Sequence, residues 1–150
     1  MPSSVQTLAG SVLAISAGIP ATEDIAGYDA LTYTDVGLIV DRGELGATYN
    51  ISTLLPLKER NLIKAKGSVN YGSVPVNMAR VDTDAGQILM RTALNDDADY
   101  SISFTYQDGS IDYFKGKVTK FSDPGGGSEA FSMRSGQIEA NSLVVEKPAP

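Results

Sequence analysis

The stretch Asp99-Tyr-Ser-Ile-Ser-Phe-Thr-Tyr-Gln-Asp-Gly-Ser-Ile-Asp-Tyr-Phe-Lys-Gly-Lys-Val118 reads as a β-hairpin and sets the fold class. Asp108-Gly109 suits a two-residue hairpin turn, because both residues tolerate positive φ. Pairing across such a turn predicts Tyr106 opposite Ile111, Phe104 opposite Tyr113 and Ile102 opposite Lys115. One face is then aromatic and aliphatic, and Ser101, Ser103 and Thr105 occupy the other. Tyr113 and Phe114 point to opposite faces, so the sheet is expected to be covered on both sides near the turn. Its own core covers one side, and a helix or a neighbouring subunit the other.

Outward from the hairpin, most of the chain reads as further strands. Residues 11–17 alternate weakly, and residues 31–40 are β-branched and aromatic, followed by Asp41-Arg-Gly43 as a turn. Residues 45–52 are another candidate. Residues 67–81 read as one long strand with Val69 and Tyr71, then Val74, Val76 and Met78, on alternating positions. The change of phase near Gly72-Ser73 predicts a bulge or kink. Residues 129–138 and 142–146 read as a last pair of strands after the flexible Pro124-Gly-Gly-Gly-Ser128.

Two segments stand apart. Asp82-Thr-Asp-Ala-Gly-Gln-Ile-Leu-Met-Arg-Thr-Ala-Leu-Asn95 is the one convincing helix. Asp82 or Thr83 serves as cap, Asp84 complements the helix dipole, and Ala85, Ile88, Leu89, Thr92 and Ala93 form an apolar stripe. The second is Thr53-Leu-Leu-Pro-Leu-Lys-Glu-Arg-Asn-Leu-Ile-Lys-Ala-Lys66, half apolar and half charged, without a clear period. Pro56 argues against a central strand, and the segment is too long for a simple connection and too apolar for a solvated loop. It is either a loop folded onto its own domain or an arm packed on another subunit. Exposed apolar groups of this size favour the arm.

At 150 residues, with 42% apolar and 20% charged residues, the chain is expected to form one globular domain over residues 1–150. It has no Cys, which excludes disulfides and thiolate chemistry, and no His, the side chain best suited to general-base work at neutral pH. A net charge of −6 disfavours binding to nucleic-acid phosphates. No stretch reaches the apolar length of a membrane helix, and no Lys or Arg precedes Arg42, so the basic start of a signal peptide is missing. The chain is therefore expected to be made and kept in the cytoplasm, or assembled there into something larger.

The candidate chemical constellations are weak. Asp96, Asp97 and Asp99 lack the ligand spacing and closing Glu of a calcium loop and read as a solvated connection. Gly125-Gly-Gly-Ser128 lacks the Lys and the helix of a phosphate loop. Lys58, Arg60, Lys64 and Lys66 admit three roles: pairing with carboxylates of a neighbouring subunit, which we favour, contact with phosphate, or solvated decoration. The expectation is a protein that is not an enzyme and has no cofactor or metal. A sugar- or cell-surface-binding β-sandwich is the alternative, made poor by the absence of Trp, and a carboxylate hydrolase is the third option.

The run Ile15-Ser-Ala-Gly-Ile-Pro-Ala-Thr-Glu-Asp-Ile-Ala-Gly-Tyr-Asp-Ala-Leu-Thr-Tyr-Thr-Asp-Val-Gly37, with Arg42-Gly-Glu-Leu-Gly46, resembles the start of major tail tube proteins of lambda-like, long non-contractile-tailed bacteriophages. The Asp82-Thr-Asp-Ala-Gly-Gln-Ile-Leu89 helix and the Asp108–Phe121 hairpin arm fit the same family, in the same order. This resemblance implies an antiparallel β-sandwich or partly closed barrel with one flanking helix, akin to type VI secretion tube proteins. It implies six copies closing into rings that stack into a virion tail tube, assembled in the host cytoplasm. DNA passes through without specific binding, alongside the tape-measure protein and tail tip or terminator proteins. The loop at about 51–66 would carry the inter-subunit contact, through Leu54, Leu55, Pro56, Leu57, Lys58, Arg60, Leu62, Ile63 and Lys64, aided by flexible N- and C-terminal arms. Six copies at −6 each carry −36, so the wall of the bore is expected to be acidic.

Overall fold

The computed structural model describes residues 5–150, so the first residues of the expected N-terminal arm lie outside it. The strands are β1 (Val12–Ser16), β2 (Thr34–Val36), β3 (Ile39–Arg42), β4 (Thr48–Leu54), β5 (Ile63–Asn70), β6 (Ser73–Ala79), β7 (Tyr100–Thr105), β8 (Ile111–Ser122), β9 (Met133–Ala140) and β10 (Val145–Lys147). Two helices, α1 (Ile25–Asp29) and α2 (Ala85–Leu94), complete the fold. Eight strands form one antiparallel sheet in the order β2-β1-β7-β8-β9-β6-β3, with β10 also on β8; β4 and β5 form a sheet of their own.

The shape of the large sheet follows from one connection. Strands β2 and β3 end the hydrogen-bonded path, yet only Gly37 and Leu38 separate them in sequence. Val36 and Ile39 are therefore no more than about 11 Å apart. The sheet has to fold back on itself until its two ends meet, which gives a sandwich rather than a flat layer. Its ends do not pair with each other, so the barrel stays open. Inside lie Leu13, Ile15, Val76, Met78, Ile102, Phe104, Phe114, Val118 and Ile138, with Met90 and Ala93 of α2.

The hairpin is present, but its register differs by one residue from the expected pairing. Thr105 faces Ile111, Phe104 faces Asp112, Ser103 faces Tyr113, Ile102 faces Phe114 and Ser101 faces Lys115. The cause is the turn, which is a three-residue loop. The Tyr106 amide donates to the Ser110 carbonyl at 2.8 Å, the Gly109 amide donates to the Tyr106 carbonyl at 3.0 Å, and Gly109 sits at φ +93°. A one-residue slip moves side chains to the other face. Phe114, not Tyr113, thus joins Ile102 and Phe104 in the core. Tyr113 stacks on the far face between Tyr28 (5.2 Å) and Tyr33 (5.8 Å), so α1, unforeseen in the sequence, covers that side.

Other expectations are corrected in the same way. The 67–81 strand is two strands, β5 and β6, in different sheets. The 129–138 and 142–146 strands do not pair: β9 lies between β8 and β6, and β10 lies on β8. The Asp41-Arg42 turn is the end of β3, whose pairing runs on to a Gly43 amide bond with the Pro75 carbonyl at 2.7 Å. Helix α2 starts later than expected: Asp84 is its cap, accepting from the Gln87 amide at 3.0 Å. The same carboxylate oxygen accepts from the Gly37 amide at 3.0 Å, and that distant contact selects Asp84 over Asp82 and Thr83. The buried face consists of Gly86, Gln87, Met90 and Ala93, and Ile88 of the expected stripe is exposed.

Gln87 is wholly buried and ties the β2–β3 link to the end of β6 and to β9. Its side-chain amide donates to the carbonyls of Gly37 (3.1 Å) and Ala79 (2.9 Å) and accepts from the Val81 amide (3.2 Å) and Arg134 (3.1 Å). Arg134, also buried, pairs with Asp82 at 2.6 Å and Asp123 at 3.3 Å, which repays its desolvation.

Candidate assembly surface

The segment that sequence could not place is a β-hairpin standing off the sandwich. Strands β4 and β5 pair from Thr48 opposite Asn70 to Leu54 opposite Ile63, with a bulge between Tyr49 and Ile51. The bulge and the absence of a buried face explain why no period is visible in the sequence. Leu54 lies at the end of β4 and Ile63 and Lys64 at the start of β5. Leu55, Pro56, Leu57, Lys58, Arg60 and Leu62 form the tip, all exposed except the half-buried Pro56. Tyr49 and Ile51 add to this surface and were missed, because a lone strand reads the same whether covered or bare.

A two-stranded hairpin in water is marginal by itself. Here both faces are bare: Ile51, Leu54 and Leu55 are each more than 60% exposed, and Leu57 is fully exposed. Local contacts support it only modestly, through Asn50 donating to Ser68 at 2.9 Å and Lys66 lying 4.7 Å over the Tyr49 ring. Its root is better fixed. Gly72 takes φ +93°, its amide donates to the Asn70 side chain at 2.9 Å, and a Cβ there would meet the Gly46 carbonyl at 2.7 Å.

The arm is also electrostatically unlike the rest. Residues 48–70 hold four basic side chains against one acid, Glu59, a net of +3, which leaves −9 on the remainder of a chain of net −6. Among the described residues every ion pair uses Arg80, Lys115, Lys117, Arg134 or Lys147. Among the described residues none of the arm cations pairs with a carboxylate.

The other candidates resolve into local roles. Asp96 accepts from the Ala98 amide and the Tyr100 hydroxyl, and Asp99 from Lys117 and Asn141, so these oxygens hold the helix-to-strand connection. Among the described residues no group of three or more His, Cys, Asp or Glu is placed to hold a metal ion, and no helix is long and apolar enough to cross a membrane. Residues 124–128 are exposed and irregular. Asp29 accepts from the Tyr113 hydroxyl and pairs with Lys147 at 3.0 Å, contacts that hold its carboxyl below the usual value.

Comparison with solved structures sets the class of fold. The chain is similar to a chain in the cryo-EM structure of the sheath/tube terminator of an extracellular contractile injection system, PVC, in its extended state. The TM-score is 0.67 at 10% identity, over 96% of this chain and 97% of that one. A chain of the six-fold symmetrised baseplate of the anti-feeding prophage gives 0.66 at 10% identity over 99% of both chains. A chain of the PVC sheath–tube complex in the extended state gives 0.59 at 10% identity over 91% of this chain and 87% of that one. No protein-family model matches the chain, and no curated protein matches it. The protein thus shares its fold with chains of contractile injection systems.

Proposed function

We propose that the chain is a structural, non-enzymatic subunit of a phage tail or phage-tail-like particle. Copies close into six-membered rings, and the rings stack into a tube. The observation that carries this is the β4–β5 arm, a basic, leucine-tipped hairpin with both faces in water on an otherwise acidic body. Such an arm gains its full stability only against another molecule, and an acidic second copy complements its charge. The shared fold supports a place in an assembled tail. The finer placement, in a long non-contractile tail that conducts DNA past an acidic wall, rests on the sequence resemblance. Terminator, tail tip and tape-measure proteins are the partners such a tube requires.

Negative-stain microscopy and sedimentation of the purified full chain test the proposal. Hollow tubes or six-fold rings are the expected result. A strict monomer at high concentration, even with tail tip components added, refutes it.

A further inference from the structure

The body carries a groove of about 140 Å³ between residues 8–11 and strand β3. Its apolar walls are Leu8, Ile39, Val40 and Phe104, and Leu8 and Val40 are 52% and 62% exposed. Its polar residues are Ser11, Asp41 and Arg42. The Arg42 guanidinium lies 4.2 Å over the Phe104 ring and donates through Nη1 to the Tyr106 hydroxyl at 3.2 Å. Its Nε is buried without a partner, and so is the Ser11 hydroxyl. These are two of the three unpartnered buried side-chain polar atoms among the described residues, and both belong to this one groove. A buried polar group left unpaired costs about 1–3 kcal/mol, so both unpaired groups lie beside this groove at a cost to the free chain.

The geometry points to the arm tip of a second copy as the occupant, an inference that rests on the tube reading above. Leu57 is fully exposed at the tip, and a cavity near 150 Å³ accommodates a benzene-sized group, so a leucine side chain fits. Two residues on, Glu59 is the arm's sole carboxylate, and its charge complements Arg42 at the groove. Lys58 and Arg60 flank it, and Asp41 at the groove is their complement. The tip is charged plus–minus–plus, and the groove presents minus beside plus.

The chain contains no cysteine, so single-cysteine variants report contacts cleanly. Val40→Cys and Leu57→Cys chains, both changed at exposed sites, are purified separately, mixed, assembled and oxidised. A disulfide requires Cα atoms within about 7 Å. The expected result is a mixed disulfide dimer in assembled material. It should be absent when Ile88→Cys replaces Val40→Cys, or when Phe131→Cys, an exposed aromatic beside Glu129, replaces Leu57→Cys. Tubes that form without the Val40–Leu57 link, or that link equally to the controls, overturn the groove assignment and leave the tube reading standing. An unmodified chain that never assembles overturns both. Glu59→Gln is expected to raise the critical concentration for assembly by about tenfold or more with an unchanged melting temperature. Wild-type assembly of that variant refutes the carboxylate contact.

Discussion

Replacing Leu54, Leu55 and Leu57 together by Ser should abolish polymerisation and leave the monomer folded. In the free chain these side chains are 63%, 61% and 107% exposed, so their removal takes almost nothing from the core. Surface substitutions cost within about 0.5 kcal/mol each, a sum of no more than about 1.5 kcal/mol, or roughly 6 °C in melting midpoint for a chain of this size. Docked against a neighbour, the same three would bury the equivalent of a little over two whole leucines. At about 1.5–3 kcal/mol for each full burial, the variant forfeits roughly 3.5–7 kcal/mol per interface. That weakens association by about two and a half to five orders of magnitude. Sedimentation and microscopy read the first effect, and thermal melting by circular dichroism the second. If these leucines belonged to a core, each would cost about 2–5 kcal/mol and the triple variant would exhaust a typical stability. An unfolded monomer therefore refutes the arm, and unaltered tubes refute its role in assembly.

Gln87→Leu keeps the bulk of the buried side chain and removes its four hydrogen bonds, leaving Arg134 and three backbone groups short of a partner. We expect a loss of about 2–5 kcal/mol in urea unfolding. Gly72→Ala should cost about 1–3 kcal/mol and lower assembly yield, because of its φ of +93° and the Gly46 carbonyl 2.7 Å from the added methyl. Gly125→Ala, with nothing within 4 Å, is the neutral control. Asp29 has its carboxyl lowered from 3.8 by the Tyr113 hydroxyl and then by Lys147. A lowered folded value stabilises the protein above 3.8 and loses that contribution as pH falls through the folded value. Asp29→Asn is thus expected to be less stable at neutral pH and to show a flatter acid unfolding profile below about pH 4; an unchanged profile refutes the contact.

Much of the fold is legible in the residues. Alternating Val74, Val76 and Met78 and the Asp-Gly hairpin give an antiparallel sheet, and the charged, leucine-rich 53–66 segment signals exposure. The failures share one cause: each depends on a contact far away in sequence. Asp108-Gly109 fits a two-residue turn as well as the end of a three-residue loop, and only Tyr106 bonding to Ser110 decides between them. Three residues could cap α2, and the Gly37 amide, 47 positions away, makes it Asp84. Asp41-Arg42-Gly43 has the composition of a turn, and pairing with β6 makes it a strand and with it one wall of a groove. Gln87 carries no local sign of its role, since its partners come from β2–β3, β6 and β9.

The two-residue link between β2 and β3, where Leu38 is held at φ +55°, joins the two ends of the hydrogen-bonded path. A hydrogen-bonded path that begins and ends at neighbouring residues offers no stable half-way structure. Five strands lie between β2 and β3 along that path, and Gln87 bonds the link between them to Ala79 at the end of β6. Folding of this sheet is expected to be dominated by distant pairings, which in β proteins takes milliseconds to seconds. Strand β3 pairs with β6 and forms a wall of the groove proposed to receive an arm. In the assembly proposed above, a chain whose β3 has not paired would offer a free arm but no seat for one.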